Sequence, residues 1–133
     1  MLFVAELKQQ MRQSSSPFPP LLFARGYNTL IAQTYVSSHP LSGLVLVNPP
    51  LTIKEALKAR KDLLDYVPQE FDYEPFFPIS ILCNRKSAEE LETHRLRRDF
   101  SEEVHLLVSP EEDVVISDDG FERVKDWMDS NGL

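Results

Sequence analysis

Leu21-Leu22-Phe23-Ala24-Arg25-Gly26-Tyr27-Asn28-Thr29-Leu30-Ile31-Ala32 is the stretch on which the fold turns. Its first four residues would be apolar on both sides of an extended chain, the pattern of a central parallel strand rather than of a half-solvated one. Arg25-Gly26-Tyr27 breaks that run, and beyond it Leu30, Ile31, Thr34 and Tyr35 recur at helical spacing. A strand passing through a tight turn into a helix is the first half of a βα unit. Upstream, Ser14-Ser15-Ser16 with Pro17, Pro19 and Pro20 reads as a short linker. Before the linker, Phe3, Val4, Leu7 and Met11 share one face of an amphipathic helix.

Downstream the same alternation continues. Pro40 ends the first crossover helix, because the residue before a proline is pushed out of helical geometry. Gly43-Leu44-Val45-Leu46-Val47 is the clearest strand, closed by Asn48-Pro49-Pro50. Thr52 to Tyr66 reads as a helix with Ile53, Leu57, Leu64 and Val67 near one face and Lys54, Lys58, Arg60 and Lys61 outward. Val67 to Pro78 is a proline-punctuated loop whose aromatics Phe71, Tyr73, Phe76 and Phe77 are expected to pack over an edge of the core. Ile79 to Cys83 is a third strand, Ser87-Ala88-Glu89-Glu90 a capping box opening a helix to about Arg98, and Val104 to Val108 a fourth strand. Ser117 opens a last helix carrying Phe121, Val124, Trp127 and Met128, ended by Asn131-Gly132. The expectation is a three-layer α/β fold: a mostly parallel four-stranded sheet with helices on both faces. Residues 1–133 form one domain in this reading, with 51–78 as a reduced cap or linker region.

Composition narrows the function classes. A net charge of −7 argues against a general nucleic-acid binder, since phosphate affinity rests on clustered Lys and Arg. Arg95-Leu96-Arg97-Arg98, the only dense basic run, reads as a solvated helix face. The single cysteine, Cys83, excludes an intramolecular disulfide, and three scattered histidines with one thiol make no metal-ligand spacing, so neither metal nor cofactor is expected. Glu111, Glu112 and Asp113 read as a solvated acidic turn. The N-terminal residues lack the apolar core of a signal peptide, and no run reaches the ~18 apolar residues of a membrane span. A soluble intracellular protein of the cytoplasm or an organellar matrix is expected.

The string Leu21 to Ala32, followed by Ser38-His39-Pro40-Leu41-Ser42 and Gly43 to Pro50, resembles the nucleophile-elbow half of the α/β-hydrolases. In that family a strand ends in G-x-S-x-G, a helix follows, and the next strand reads much like Leu44 to Val47. The resemblance places Ala24 and Asn28 at the two glycines and Gly26 at the nucleophilic serine, so the turn is kept and the nucleophile is lost. It places Ser87 where the acid would follow the next-to-last strand, and Asp113 or a neighbour where the histidine would follow the last. Serine cannot stabilise an imidazolium, and aspartate cannot replace histidine as the base without a large pKa shift. The resemblance spans nearly the whole chain but only the C-terminal half of the family fold. The four earlier strands are missing, with the loop that supplies one oxyanion-hole amide.

A sheet cut at this point leaves Leu21 to Ala24 on an edge, a template for pairing that soluble proteins seldom leave open. The implied function is therefore catalytically inactive binding or assembly, through a homo-oligomer or a protein partner covering the elbow-strand edge. Leu21, Leu22, Phe23, Phe3, Leu7 and Met11 are the interface candidates. The alternative is a remnant esterase or thioesterase completed by a partner chain, or the C-terminal fragment of a longer hydrolase. A Cys83–His pair, with His105 or His94, is another nucleophilic arrangement the residues offer.

Overall fold

The computed structural model describes residues 9, 21–26, 28–39, 41–52, 54–55, 71, 73–110 and 118–133. Within them the elements run β1 (Leu21–Arg25), α1 (Asn28–Val36), β2 (Gly43–Val47), β3 (Ile79–Asn84), α2 (Arg85–Leu91), α3 (Arg95–Asp99), β4 (Val104–Ser109) and α4 (Asp118–Ser130). All pairings are parallel and the strand order is β1-β2-β3-β4, so the architecture is a three-layer α/β fold. Phe23 lies beside Val45, Val45 beside Ser80, and Ser80 beside His105.

This order decides which face each helix covers. A sheet that grows one strand at a time in one direction, through right-handed crossovers, puts every connecting helix on the same side. Leu44, Leu46, Ile79, Ile81, Cys83 and Val104 form one core with Ala32, Tyr35 and Val36 of α1, Leu91 of α2 and Leu96 of α3. The opposite face, with Val45, Val47 and Leu82, packs on Val124 and Trp127 of α4, the helix that follows the last strand. Because α4 contacts β3 and β4, the β1 end of that face is the less protected one. Gly43 is tight there: a Cβ on it would meet the Cδ1 of Leu21 at 2.8 Å and that of Leu133 at 2.9 Å.

The two sheet edges differ. Alongside β4, the guanidinium of Arg97 in α3 donates to the carbonyls of Val104 and Ser101 and pairs with Glu92 at 3.2 Å. A side chain that occupies an edge carbonyl blocks strand addition there. β1 has one hydrogen-bonded strand neighbour among the described residues, β2.

Two local expectations are corrected. The helix after β3 starts at Arg85, with Asn84 as its cap: the Asn84 side chain accepts the Ser87 amide at 3.0 Å, so Ser87 sits inside the helix and not at its cap. Nor is that helix continuous to Arg98. It ends at Leu91, and His94, extended at φ −58° and ψ 140°, starts α3 by accepting the Leu96 amide on Nδ1. Of the aromatic loop, Tyr73 and Phe77 pack on the core as expected, but Phe76 is 85% exposed. Lys54 and Glu55 are helical, with Thr52 accepting the Glu55 amide at 3.0 Å. The rest of the helix expected to Tyr66, the N-terminal helix with Phe3, Leu7 and Met11, the acidic turn with Asp113, and Ser117 lie outside the described residues.

Candidate functional site

Parallel sheets present ligands and reacting groups at the C-terminal ends of their strands, and here that end gathers Gly26, Asn48, Asn84 and Ser109. Gly26 follows β1 with φ +60°, a left-handed conformation that glycine adopts without penalty. Its N–H donates to Val47 O at 3.0 Å, and its carbonyl accepts the Thr29 amide at 3.1 Å and the Thr29 hydroxyl at 2.6 Å. The turn is thus fixed to β2 on one side and to α1 on the other. A Cβ at Gly26 would have no atom within 4 Å, so a side chain there would project into open space. With glycine there, the turn carries no nucleophilic side chain at that position.

Ser87 is one turn into α2, its amide held by Asn84. At the end of β4, Ser109 is buried, and the Asp119 carboxyl of α4 is held below the usual carboxylate range by its bond to Arg123 and, secondarily, by the Ser109 hydroxyl. Cys83 belongs to the core face, whereas His105, three residues out of register with it across the β3–β4 ladder, stands on the opposite face. Burial, and secondarily the Glu92 carboxylate, push the Cys83 thiol up to about 11, so it is neutral and weakly nucleophilic. His94 is buried with Nδ1 occupied by the Leu96 amide. His39 stacks on Tyr35 with ring centroids 4.6 Å apart and meets Ser38 Oγ at 2.8 Å, beyond the C-terminal end of α1. Among the described residues no cluster of three or more His, Cys, Asp or Glu is placed to hold a metal ion.

Asn48 escaped the sequence reading. It ends β2 with φ 47°, donates its N–H to Leu82 O at 2.9 Å, and leaves a buried Oδ1 without a hydrogen-bond partner. Its signal was the residue type: Asn directly before Pro49-Pro50 is among the few non-glycine residues that tolerate left-handed geometry.

The edge beside the turn has its own geometry. In a parallel pair, alternate residues turn both backbone groups to the same neighbour. Gly26 N–H points to β2, so Ala24 and Leu22 do as well, and Leu21 and Phe23 direct theirs to the outer edge. Side chains alternate in the other sense: Leu22 and Ala24 join the core of the α1 face, while Phe23 stands on the α4 face, 53% exposed. Of the proposed interface residues, the structure thus brings Leu21, Leu22 and Phe23 together on one edge.

What the fold and this end of the sheet define is a parallel α/β domain whose tight strand-to-helix turn has glycine at position 26. No protein-family model matches the chain, and neither a curated protein nor a solved structure is significantly similar to it. No helix among the described residues is long and apolar enough to cross a membrane.

Proposed function

We propose that this chain is a catalytically silent, α/β-hydrolase-like domain that works by assembly, its β1 edge pairing with β1 of a second copy. The observation that carries the reading is the outward edge of Leu21 and Phe23, with Phe23 53% exposed at its centre. A two-fold axis perpendicular to the sheet reverses the partner strand, so the pairing is antiparallel and centred on Phe23. Phe23 then exchanges its N–H and C=O with the partner's Phe23, and the two rings lie on the same face as a cross-strand aromatic pair. The four-stranded sheets join into one, and the remaining outer edges are the β4 edges that Arg97 already occupies.

One feature supports the inactive half of the reading: Gly26, which has no side chain, occupies the displayed position of the turn. Sedimentation velocity of the wild type and of Phe23→Lys tests the assembly. The wild type is expected at twice the chain mass at micromolar concentration, and the variant as a folded monomer. A monomeric wild type, or a Phe23→Lys dimer, would refute pairing through β1.

A further inference from the structure

On the α1–α3 side of the sheet, the segment after β2, the segment before β3 and the α2–α3 junction enclose a cleft of about 440 Å³. Against Leu30 and Gln33 of α1 lies a second cavity of about 20 Å³, room for one water-sized atom. Leu51, Thr52, Phe71 and Arg95 line both, so the small cavity is the floor of the larger cleft.

The side-chain groups that this floor leaves open are donors. Gln33 is 2% exposed, and its Oε1 already accepts the Tyr73 hydroxyl at 2.7 Å. What it has left to offer is Nε2 with two hydrogens, from which nothing accepts among the described residues. Thr52 accepts the Glu55 amide at 3.0 Å and keeps its own hydrogen to donate. Arg95 is held in place, its Nη2 donating to the Tyr73 carbonyl and its guanidinium 5.1 Å from the centre of the Tyr73 ring and 5.5 Å from that of Phe100. A rotamer fixed this way loses little entropy on meeting a ligand. Its Nη1 is buried without a hydrogen-bond partner, and no ion pair among the described residues engages it. Buried donors are nearly always satisfied, so open donors around one cavity call for an acceptor from outside the chain.

The number of free cations sets the charge of that acceptor. Arg98 is neutralised by Asp99, which it meets through both carboxylate oxygens, and Lys54 at the mouth already has a partner, so neither counts. Arg95 remains, one positive charge, and no described side chain lining the cleft is a carboxylate. Leu51 and Phe71 supply apolar wall.

We propose that this cleft binds a small monocarboxylate with an apolar body. The carboxylate faces the floor, its single charge matched by Arg95 and its oxygens by the Gln33 amide and the Thr52 hydroxyl. The body lies against Leu51 and Phe71, in a cleft of the size that small ligands fill. The site shares no residue with the β1 edge and is placed on the other face from Phe23.

Calorimetric titration of the full chain with phenylacetate, phenylacetamide and acetate tests this. Phenylacetate is expected to bind, acetate more weakly for want of a body, and phenylacetamide at least about tenfold more weakly for want of the charge. Arg95→Lys should weaken phenylacetate by about tenfold, since a lysine keeps the charge but loses the fork. Thr52→Val, at an exposed position, removes one donor and should weaken it by roughly fivefold, which keeps the test in hand if the Arg95 variant fails to fold. Arg98→Gln, which removes a cation already neutralised, should change it by less than about twofold. Silence toward phenylacetate at millimolar concentration, phenylacetamide binding as tightly as phenylacetate, or affinity indifferent to Thr52→Val would overturn the assignment. So would binding of a hexapeptide ending in a free phenylalanine without any binding of phenylacetate, since the acceptor would then be a chain terminus.

Discussion

Gly26→Ser restores the atom that the displayed turn lacks, and the consequences can be worked out in two parts. The backbone there is left-handed at φ +60°, which costs a non-glycine residue roughly 1–2 kcal/mol. Removing a glycine also stiffens the unfolded chain, returning about 0.4–1 kcal/mol. No contact term enters, because a Cβ would meet nothing within 4 Å. The net loss is about 1 kcal/mol, or a fall in Tm of about 3–5 °C for a chain of this size. Chemically the new hydroxyl stands alone, with no described histidine hydrogen-bonded beside it, and an isolated serine is a weak nucleophile. Urea melts of wild type and variant, with a p-nitrophenyl ester assay and a fluorophosphonate probe, read both parts. A loss above about 3 kcal/mol would mean the turn is packed rather than open. Turnover or labelling that appears with the serine would refute the inactive reading, since a base and oxyanion donors would then have to be in place.

Asn84→Ala removes the oxygen that accepts the Ser87 amide at 3.0 Å, and should cost about 1 kcal/mol in chemical denaturation, while Ser87→Ala, interior to α2, should cost much less. The Cys83 thiol, pushed up to about 11, should resist a thiol-reactive dye at pH 8 in the native state and label at once in denaturant. Because the folded thiol ionises later than the unfolded one near 9, the unfolded chain sheds its proton first. Stability from this group is complete below about pH 9 and is lost as pH rises through about 11, which Cys83→Ser should abolish.

The strands were the readable part of this sequence, for a physical reason. Val45 and Leu46 lie in the continuous apolar run Leu44 to Val47, and such a run admits few alternatives to a strand buried on both faces. Helices intervening between the strands implied parallel pairing, and the edge position of β1 was implied by the resemblance alone. The split of α2 from α3 was hidden because Thr93 and His94 are ordinary helix residues by type. What breaks the helix is a buried imidazole accepting the Leu96 amide, a tertiary fact. The cap was misplaced for a similar reason: Asn84 belongs to β3 and to the start of α2 at once, while Ser87 offers a plausible box three residues on. Arg95 was read as part of a solvated basic face, yet its guanidinium is held between Tyr73 and Phe100. Only the fold brings residues 73, 95 and 100 together.

Amide hydrogen exchange at Phe23, followed across protein concentration, tests the assembly most directly. The Gly26 amide, bonded to Val47 O at 3.0 Å, serves as the internal standard, since it is protected in monomer and dimer alike. Phe23 is expected to exchange slowly at high concentration and to speed up on dilution while Gly26 does not change. Fast exchange at every concentration would show an edge that nothing covers, and slow exchange at every concentration one covered from within the chain. Either result would contradict pairing between copies.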